Sequence, residues 1–480
     1  MASFEGQGVT CKIDIRLEEA AVFERSVRFR FPFRFGAARV DAAPQAFVRV
    51  RVSDASGRSA IGRAAEMMMP KWFDKSPVLS PDDNVEQLRT SLRLAIGAWR
   101  DAGSGTPFAL HAAIEGEHHR RATERGLPGL VASYGLALLD RALIDAVCRL
   151  EGLSAVEAVR LNRLGIDAAT APDLKSFDLN GYFASLSPAA TMAVRHTIGL
   201  ADALTAADIA EGVRIGDGLP QTLQDVIAVY GHRHFKIKVS GRPAEDTERL
   251  IRIAEVLDAA TESYVATLDG NEQFEGSEGV ADLLDRIAAE PRLARLRSSI
   301  LFFEQPIARA EALSRSVADI SCRIPLEIDE SDADIGSFVE AKALGYTGIS
   351  TKSCKGFYRS LLNSARVARW NSEERTDRYF MSAEDLTTQS GLALQQDLVL
   401  AALIGATHVE RNGHHYVDGM VGAPQEEQAA YLNDHGDLYH MSNGRAQLAI
   451  RGGRVAFASA LAARGLGSSV EPAWSVMTRS

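Results

Sequence analysis

From about residue 192 the chain alternates short apolar runs with longer amphipathic stretches. The short runs cover 193–199, 234–238, 266–269, 301–304, 326–329, 348–352, 379–383 and 407–410. Between them, 244–260, 280–289, 310–317, 335–344 and 358–370 carry apolar residues at three- and four-residue steps, the period of an amphipathic helix. Strand and helix in strict alternation imply a parallel sheet, and eight such units imply a closed barrel.

The N-terminal part has a different rhythm. Residues 13–30 lead into Phe31-Pro32-Phe33-Arg34-Phe35-Gly36, 46–52 alternate, Asp54-Ala55-Ser56-Gly57 supplies a hairpin turn, and a further strand covers 59–64. Two helices are expected over 82–102 and 130–151. The pattern weakens between 161 and 190, where Pro172 and Pro188 mark a connector. Beyond residue 425 one hydrophobic strand stands out, 446–450.

Composition narrows the class. With 480 residues, 46% apolar and 24% charged, the chain reads as a globular protein of two or three domains. A net charge of -10 argues against a sequence-independent nucleic-acid binder. No run approaches the length of a membrane span, and the start Met1-Ala2-Ser3-Phe4-Glu5-Gly6 has no secretory pattern. Cys11, Cys148, Cys322 and Cys354 are far apart and lack metal-ligand spacing, so reduced thiols and a cytoplasmic setting are expected.

The candidate chemistry lies at the strand ends. Lys238, Asp269, Glu304, Asp329 and Lys352 follow one another at steps of 31, 35, 25 and 23 residues. A parallel barrel gathers the C-terminal ends of its strands at one mouth, so three carboxylates and the lysines would meet there. Oxygen ligands of this kind suit a hard cation such as Mg²⁺, which stabilises charge when the proton α to a carboxylate leaves. Lys236 and Lys238, two apart on one strand, face the same side, and Lys352 would face them across the mouth. Only nine of the 53 basic residues are lysines, which suggests that lysine is kept where a removable proton is needed. A lone Lys-x-Lys is usually a solvated edge, and strand-end acids often cap the next helix. Their recurrence in order on successive units favours chemistry.

Phe235-Lys236-Ile237-Lys238-Val239, Asp269-Gly270-Asn271, Phe303-Glu304-Gln305-Pro306, Ile328-Asp329-Glu330-Ser331 and Thr351-Lys352 together resemble the signature of the enolase superfamily, in its muconate-lactonizing-enzyme-like branch. The resemblance implies a modified (β/α)8 TIM barrel with an N-terminal α+β capping domain completed by the C-terminal tail. The expected layout is 1–190 for the cap and connector, 191–424 for the barrel, and 425–480 for a tail packing back on the cap. It further implies Asp269, Glu304 and Asp329 as Mg²⁺ ligands, with Glu330 behind them. Lys238 and Lys352 would be opposed acid and base, with Lys236 neutralising the enolate or lowering the pKa of Lys238. Asn271 would contact the bound carboxylate and Glu384 would line the pocket. Racemisation, epimerisation or cycloisomerisation is the expected outcome, and dehydration of an acid sugar or related hydroxy acid is the alternative. From other classes, a Schiff-base aldolase or a non-catalytic binding protein remains. The expected partners are a small-molecule carboxylate and further copies of the chain in a homo-oligomer, with neither nucleic acid nor membrane.

There are departures from the pattern. The chain is longer than a typical member, mainly before Lys236. Val409-Glu410-Arg411-Asn412-Gly413 lacks the Asp-x-Asp that holds a dipeptide ammonium, and no seventh-strand histidine marks a mandelate-racemase-like site. Among other residues, His118-His119-Arg120-Arg121 and His414-His415 read as polar loops, and His234 as an inward neighbour of Lys236. Met67-Met68-Met69-Pro70-Lys71-Trp72 reads either as an apolar lid or as a packed interface between cap and barrel.

Overall fold

A computed structural model describes residues 12–35, 38–210 and 212–480. Cys11, the Met1–Gly6 start and Gly36 lie outside the described residues.

The cap is built on three long antiparallel strands, Ile15–Phe35, Ala38–Asp54 and Ser59–Met67. Asp54 closes the turn between the last two by accepting from the backbone and hydroxyl of Ser56. Helices Pro81–Asp101, Pro107–Thr123 and Gly129–Glu151 accompany this sheet. Ser80 caps the first with a reciprocal Asp83 contact, followed by proline at the first helical position, so its start is set locally. The third helix is buried along its whole length from Leu130 to Cys148, and charges it carries inward are paired, Asp140 with His111 at 2.7 Å and Arg141 with Glu66 at 2.9 Å. It approaches the sheet so closely that a Cβ on Gly62 would stand 2.0 Å from the Ala142 carbonyl oxygen.

The middle helix corrects the reading of His118–Arg121 as a loop. Phe108, Leu110, His111, Ile114, His118 and Ala122 form its buried face, so two histidines occupy positions where apolar residues were looked for. His118 Nε2 lies 2.8 Å from the Ala132 carbonyl, while Arg120 and Arg121 are exposed and pair with Glu117.

The barrel closes with eight parallel strands: Thr191–Ile198, His234–Lys238, Val265–Asp269, Ile300–Glu304, Leu326–Ile328, Gly348–Thr351, Phe380–Ala383 and His408–Glu410. The last pairs with the first through His408 to Ala193 and Glu410 to Arg195. Most of the expected helices follow their strands. The exception is 310–317, which is two short helices, Arg309–Ala312 and Ala318–Ser321, broken at Ser314-Arg315-Ser316.

The tail contributes to both parts. Thr478–Arg479 pairs with the first cap strand at Phe23 and Glu24. Arg454–Ala456 runs antiparallel to Thr191–Ala193, ahead of the point where the second barrel strand begins to pair. The predicted strand over 446–450 is Arg445–Leu448, in a hairpin with Tyr439–Ser442. Among the described residues no helix is long and apolar enough to cross a membrane.

Candidate active site

Register explains why the strand ends converge. Lys238 is paired with Asp269, Asp269 with Glu304, and Glu304 with Glu327, so four ionisable residues stand side by side on consecutive strands. Alternation then turns Lys236 inward one step below Lys238, and Asp329 one step above Glu327.

Lys236 is the buried centre of the cluster. Its Nζ lies 3.0 Å from Asp269, 2.7 Å from Glu304, 3.0 Å from Glu384 and 2.9 Å from Glu410. Lys352 donates to Asp329 at 2.7 Å and to Glu384. Lys238 donates to Asp269 at 2.6 Å. The lysines differ in access: the Lys238 side chain is 24% exposed, against 2% for Lys236 and 4% for Lys352.

Electrostatics follow from this packing. Burial works to strip the proton from Lys236, but the combined pull of Asp269, Glu304, Glu384 and Glu410 outweighs it and holds the ammonium well above its usual range. Burial likewise opposes the charge on Lys352, and Asp329 and Glu384 overcome it. Asp329 and Glu384 are driven down by their lysines against the cost of burial. Glu304 goes the other way: burial, then repulsion from Asp269 and Glu384, pushes it well up.

The supporting residues hold these groups rigidly. Gln305, in the left-handed region at φ 29°, accepts from the backbone N–H of Asp329 at 2.8 Å and of Ser331 at 3.1 Å. Its amide nitrogen donates to Ile307 O within its own loop and to Ser331 Oγ, both at 2.8 Å, so three of the side chain's four contacts tie the fourth strand end to the fifth. Gly270 follows Asp269 because a Cβ there would stand 2.5 Å from the Pro306 backbone. Asn271 and Glu272 are also left-handed, at φ 43° and 70°. The Asn271 amide donates to Glu330 at 2.7 Å, and its N–H donates to Asp269 at 2.7 Å.

The cap reaches over this mouth. The Trp72 ring lies 5.1 Å from Lys352 Nζ, and Arg309 donates to the Trp72 and Phe73 carbonyls at 3.0 Å. Lys75 donates to Asn271 O at 3.1 Å and pairs with Glu272. Met67, Met68 and Met69 are buried, while Trp72 and Lys75 touch the site.

The donor set fits a hard divalent cation. It is made of carboxylate oxygens, buried and repelling one another, and a 2+ charge would relieve the repulsion that drives Glu304 upward. Oxygens of Glu304, Glu327 and Glu384 lie within 4.8 Å of one another. Of the expected trio, Asp269 and Glu304 share the Lys236 ammonium, whereas Asp329 is engaged by Ser350 at 2.5 Å, Lys352 at 2.7 Å and Lys355 at 2.9 Å.

Several contacts of the site go beyond the sequence reading. Glu384, expected only to line the pocket, is a hub that also takes Arg195 at 2.7 Å. Glu410 is held by Thr197 and by Asn412 at 2.8 Å. Lysine scarcity, applied to all nine, would have pointed to Lys355 and Lys75. His234 sits below the site, its ring 5.6 Å from that of His408. His414 and His415 do not form a polar loop: they lie in the helical turn Gly413–Tyr416, with His415 buried and His414 half-buried.

No protein-family model and no curated relative matches the sequence. Solved structures do match. A mandelate racemase/muconate lactonizing protein from Herpetosiphon aurantiacus is 14% identical and superposes with a TM-score of 0.61 over 95% of this chain and 99% of its own. Muconate lactonizing enzyme from Pseudomonas fluorescens, complexed with muconolactone, is 15% identical with a TM-score of 0.59 over 96% and 98%. An enolase from Bradyrhizobium, complexed with magnesium and mandelic acid, is 16% identical with a TM-score of 0.56 over 96% and 97%. The closed parallel barrel with its N-terminal antiparallel sheet thus has the fold of the mandelate racemase/muconate lactonizing structures of the enolase superfamily.

Proposed function

We propose that this chain is a Mg²⁺-dependent enzyme of the enolase superfamily that removes the proton α to a carboxylate and returns one to give a racemised, epimerised or cycloisomerised product. The observation that carries the reading is the lateral register of Lys238, Asp269 and Glu304, continued by Asp329 and Lys352 on the next strands. Asp269, Glu304 and Asp329 would hold the Mg²⁺ ion, which when bound would supply positive charge for a substrate carboxylate and for the charge left as the α-proton departs.

The chain's own groups do the rest. Lys238, the most open of the three lysines, takes the α-proton, and Lys352 delivers one to the other face. Both give up their protons more readily once Asp269 and Asp329 have their charge neutralised. Lys236 stays charged and faces the developing negative charge. Asn271 orients Glu330 behind the site, and Trp72 excludes water above Lys352. The substrate is a small carboxylate, in keeping with the mandelic acid and muconolactone of the two complexes. The absent Asp-x-Asp after the eighth strand disfavours a dipeptide.

One observation favours a second reading, dehydration of a hydroxy acid. Lys352 is 4% exposed with Trp72 over it, so Lys238 is placed to act alone as base and then acid in a syn elimination. Lys352→Ala separates the two. In a racemase it stops α-proton exchange of one enantiomer and spares the other, whereas dehydration by Lys238 alone leaves product formation standing. Schiff-base chemistry is tested by borohydride trapping, and no covalent adduct is expected.

A further inference from the structure

Four of the chain's eleven histidines gather outside the barrel wall, apart from the carboxylate mouth. Along the first barrel strand Arg195 and Thr197 point inward to Glu384 and Glu410, so His196 between them points out. There it meets His232, just before the second strand, and His414 and His415 in the turn after the eighth. His196 and His232 are fully buried, and both ring nitrogens of His414 are shut off from solvent.

This cluster is poorly explained as packing. His196 Nδ1, His232 Nε2, both nitrogens of His414 and His415 Nδ1 are buried without a hydrogen-bond partner among the described residues. Buried polar atoms are normally satisfied, and five orphans in one place are costly. His232 Nδ1 lies 3.2 Å from the Val194 carbonyl, which fixes its proton there and leaves Nε2 as a lone-pair donor facing the cluster. Ligand atoms of His196, His232 and His414 lie within 4.8 Å of one another.

Ring spacing is compatible with a shared ion, although His196–His415, at 5.2 Å, shows the same spacing. With a metal–nitrogen bond of about 2.0 Å and a ring centre about 1.2 Å beyond it, two imidazoles on one tetrahedral ion have centres roughly 5.2 Å apart. The three separations here are 5.3 Å for His196–His232, 5.4 Å for His196–His414 and 5.2 Å for His232–His414. We infer that His196, His232 and His414 form a second metal site for a borderline-soft divalent ion of the Zn²⁺ class, distinct from the hard-cation carboxylates. Burial keeps all three imidazoles neutral, the form that ligates. The fourth position is left for water or a small anion.

The site would act on the barrel seam. First and eighth strands pair in register over three residues, His408, Val409 and Glu410, with one further backbone hydrogen bond on either side, from Ala193 to Thr407 and from Arg411 to Arg195. The turn carrying His414 follows at once, and Asn412 at its start donates to Glu410. An ion tying that turn to the first and second strands stabilises the closure on which Glu410 depends.

The test uses tag-free, full-length protein stripped with chelator and kept in excess Mg²⁺ so that the carboxylates are occupied. Titration with Zn²⁺ should load one ion per chain and raise the thermal midpoint. Co²⁺ should give the intense visible bands of a tetrahedral nitrogen site. His414→Gln and His232→Ala should each lower Zn²⁺ affinity at least tenfold while the Mg²⁺ affinity stays unchanged. The cobalt spectrum of the unaltered protein needs no variant, so the test survives if either substitution fails to fold. No Zn²⁺ uptake at micromolar concentration, a weak octahedral cobalt spectrum, or equal uptake by a folded variant would overturn the inference.

Discussion

Lys236 and Lys352 donate to one and the same carboxylate, that of Glu384, from strands on either side of the mouth. Arg195 adds a third cation to it at 2.7 Å. Glu384 therefore fixes the distance between two ammonium groups that would otherwise repel. Removing one partner of a buried charge network typically costs about 3–5 kcal/mol. Glu384→Ala is expected to destabilise the protein by that order in denaturant unfolding and to abolish turnover, with Glu384→Gln losing less stability.

The carboxylates of the ion site should be individually required. Asp269→Asn or Glu304→Gln is expected to lower turnover by about 100- to 1,000-fold, the order seen when an electrostatic stabiliser of developing charge is removed. Calorimetry should show Mg²⁺ affinity falling in parallel. A normal rate in either variant would remove that residue from the site.

Lys238→Arg preserves the charge but not the removable proton. It is expected to be slower by about 100- to 10,000-fold, the usual contribution of a general base. Unchanged thermal stability together with the rate loss would show that the defect is chemical.

Gln305→Ala leaves the buried N–H groups of Asp329 and Ser331 without their acceptor. At about 1–3 kcal/mol for each unsatisfied group, the expected loss is roughly 2–6 kcal/mol, less where water enters. Denaturant titration gives the number, and metal affinity should weaken because the Asp329 loop is no longer held.

Asp173 in the connector accepts from two guanidinium nitrogens of Arg366, Nε at 3.0 Å and Nη2 at 2.7 Å, on the helix Phe357–Glu374. Burial works against its charge, but the Arg366 hydrogen bonds win and hold the carboxyl below its ordinary range. A depressed carboxylate pKa stabilises the fold above the unfolded value, near 4, and the gain disappears as pH falls through the folded value. Asp173→Asn should therefore cost about 1–3 kcal/mol at pH 7 and little in strong acid. Unfolding curves at both pH values check this.

Much of this was legible in the chain. The strand ends are spaced so that a helical connection and the next strand fill each interval, and the register sets Lys238, Asp269 and Glu304 side by side. The first cap helix, expected from residue 82, starts at Pro81 behind the Ser80 cap. What escaped was information held in three dimensions. Glu384 follows an unremarkable strand, and only its register beside Lys352 makes it a hub. The helix Pro107–Thr123 was hidden because His111 and His118 fill core positions, which broke the apolar count. The tail strands Arg454–Ala456 and Thr478–Arg479 are two or three residues long, too short to carry a period.

The central claim is removal of a proton α to a carboxylate with the help of a divalent ion. Its most direct test is an NMR screen of a library of small carboxylic acids in D₂O with Mg²⁺, repeated after EDTA. The account predicts deuterium at the α-carbon of at least one acid, or its α,β-elimination, lost with EDTA and restored by Mg²⁺. Exchange indifferent to EDTA, or no reaction across the library, would contradict it.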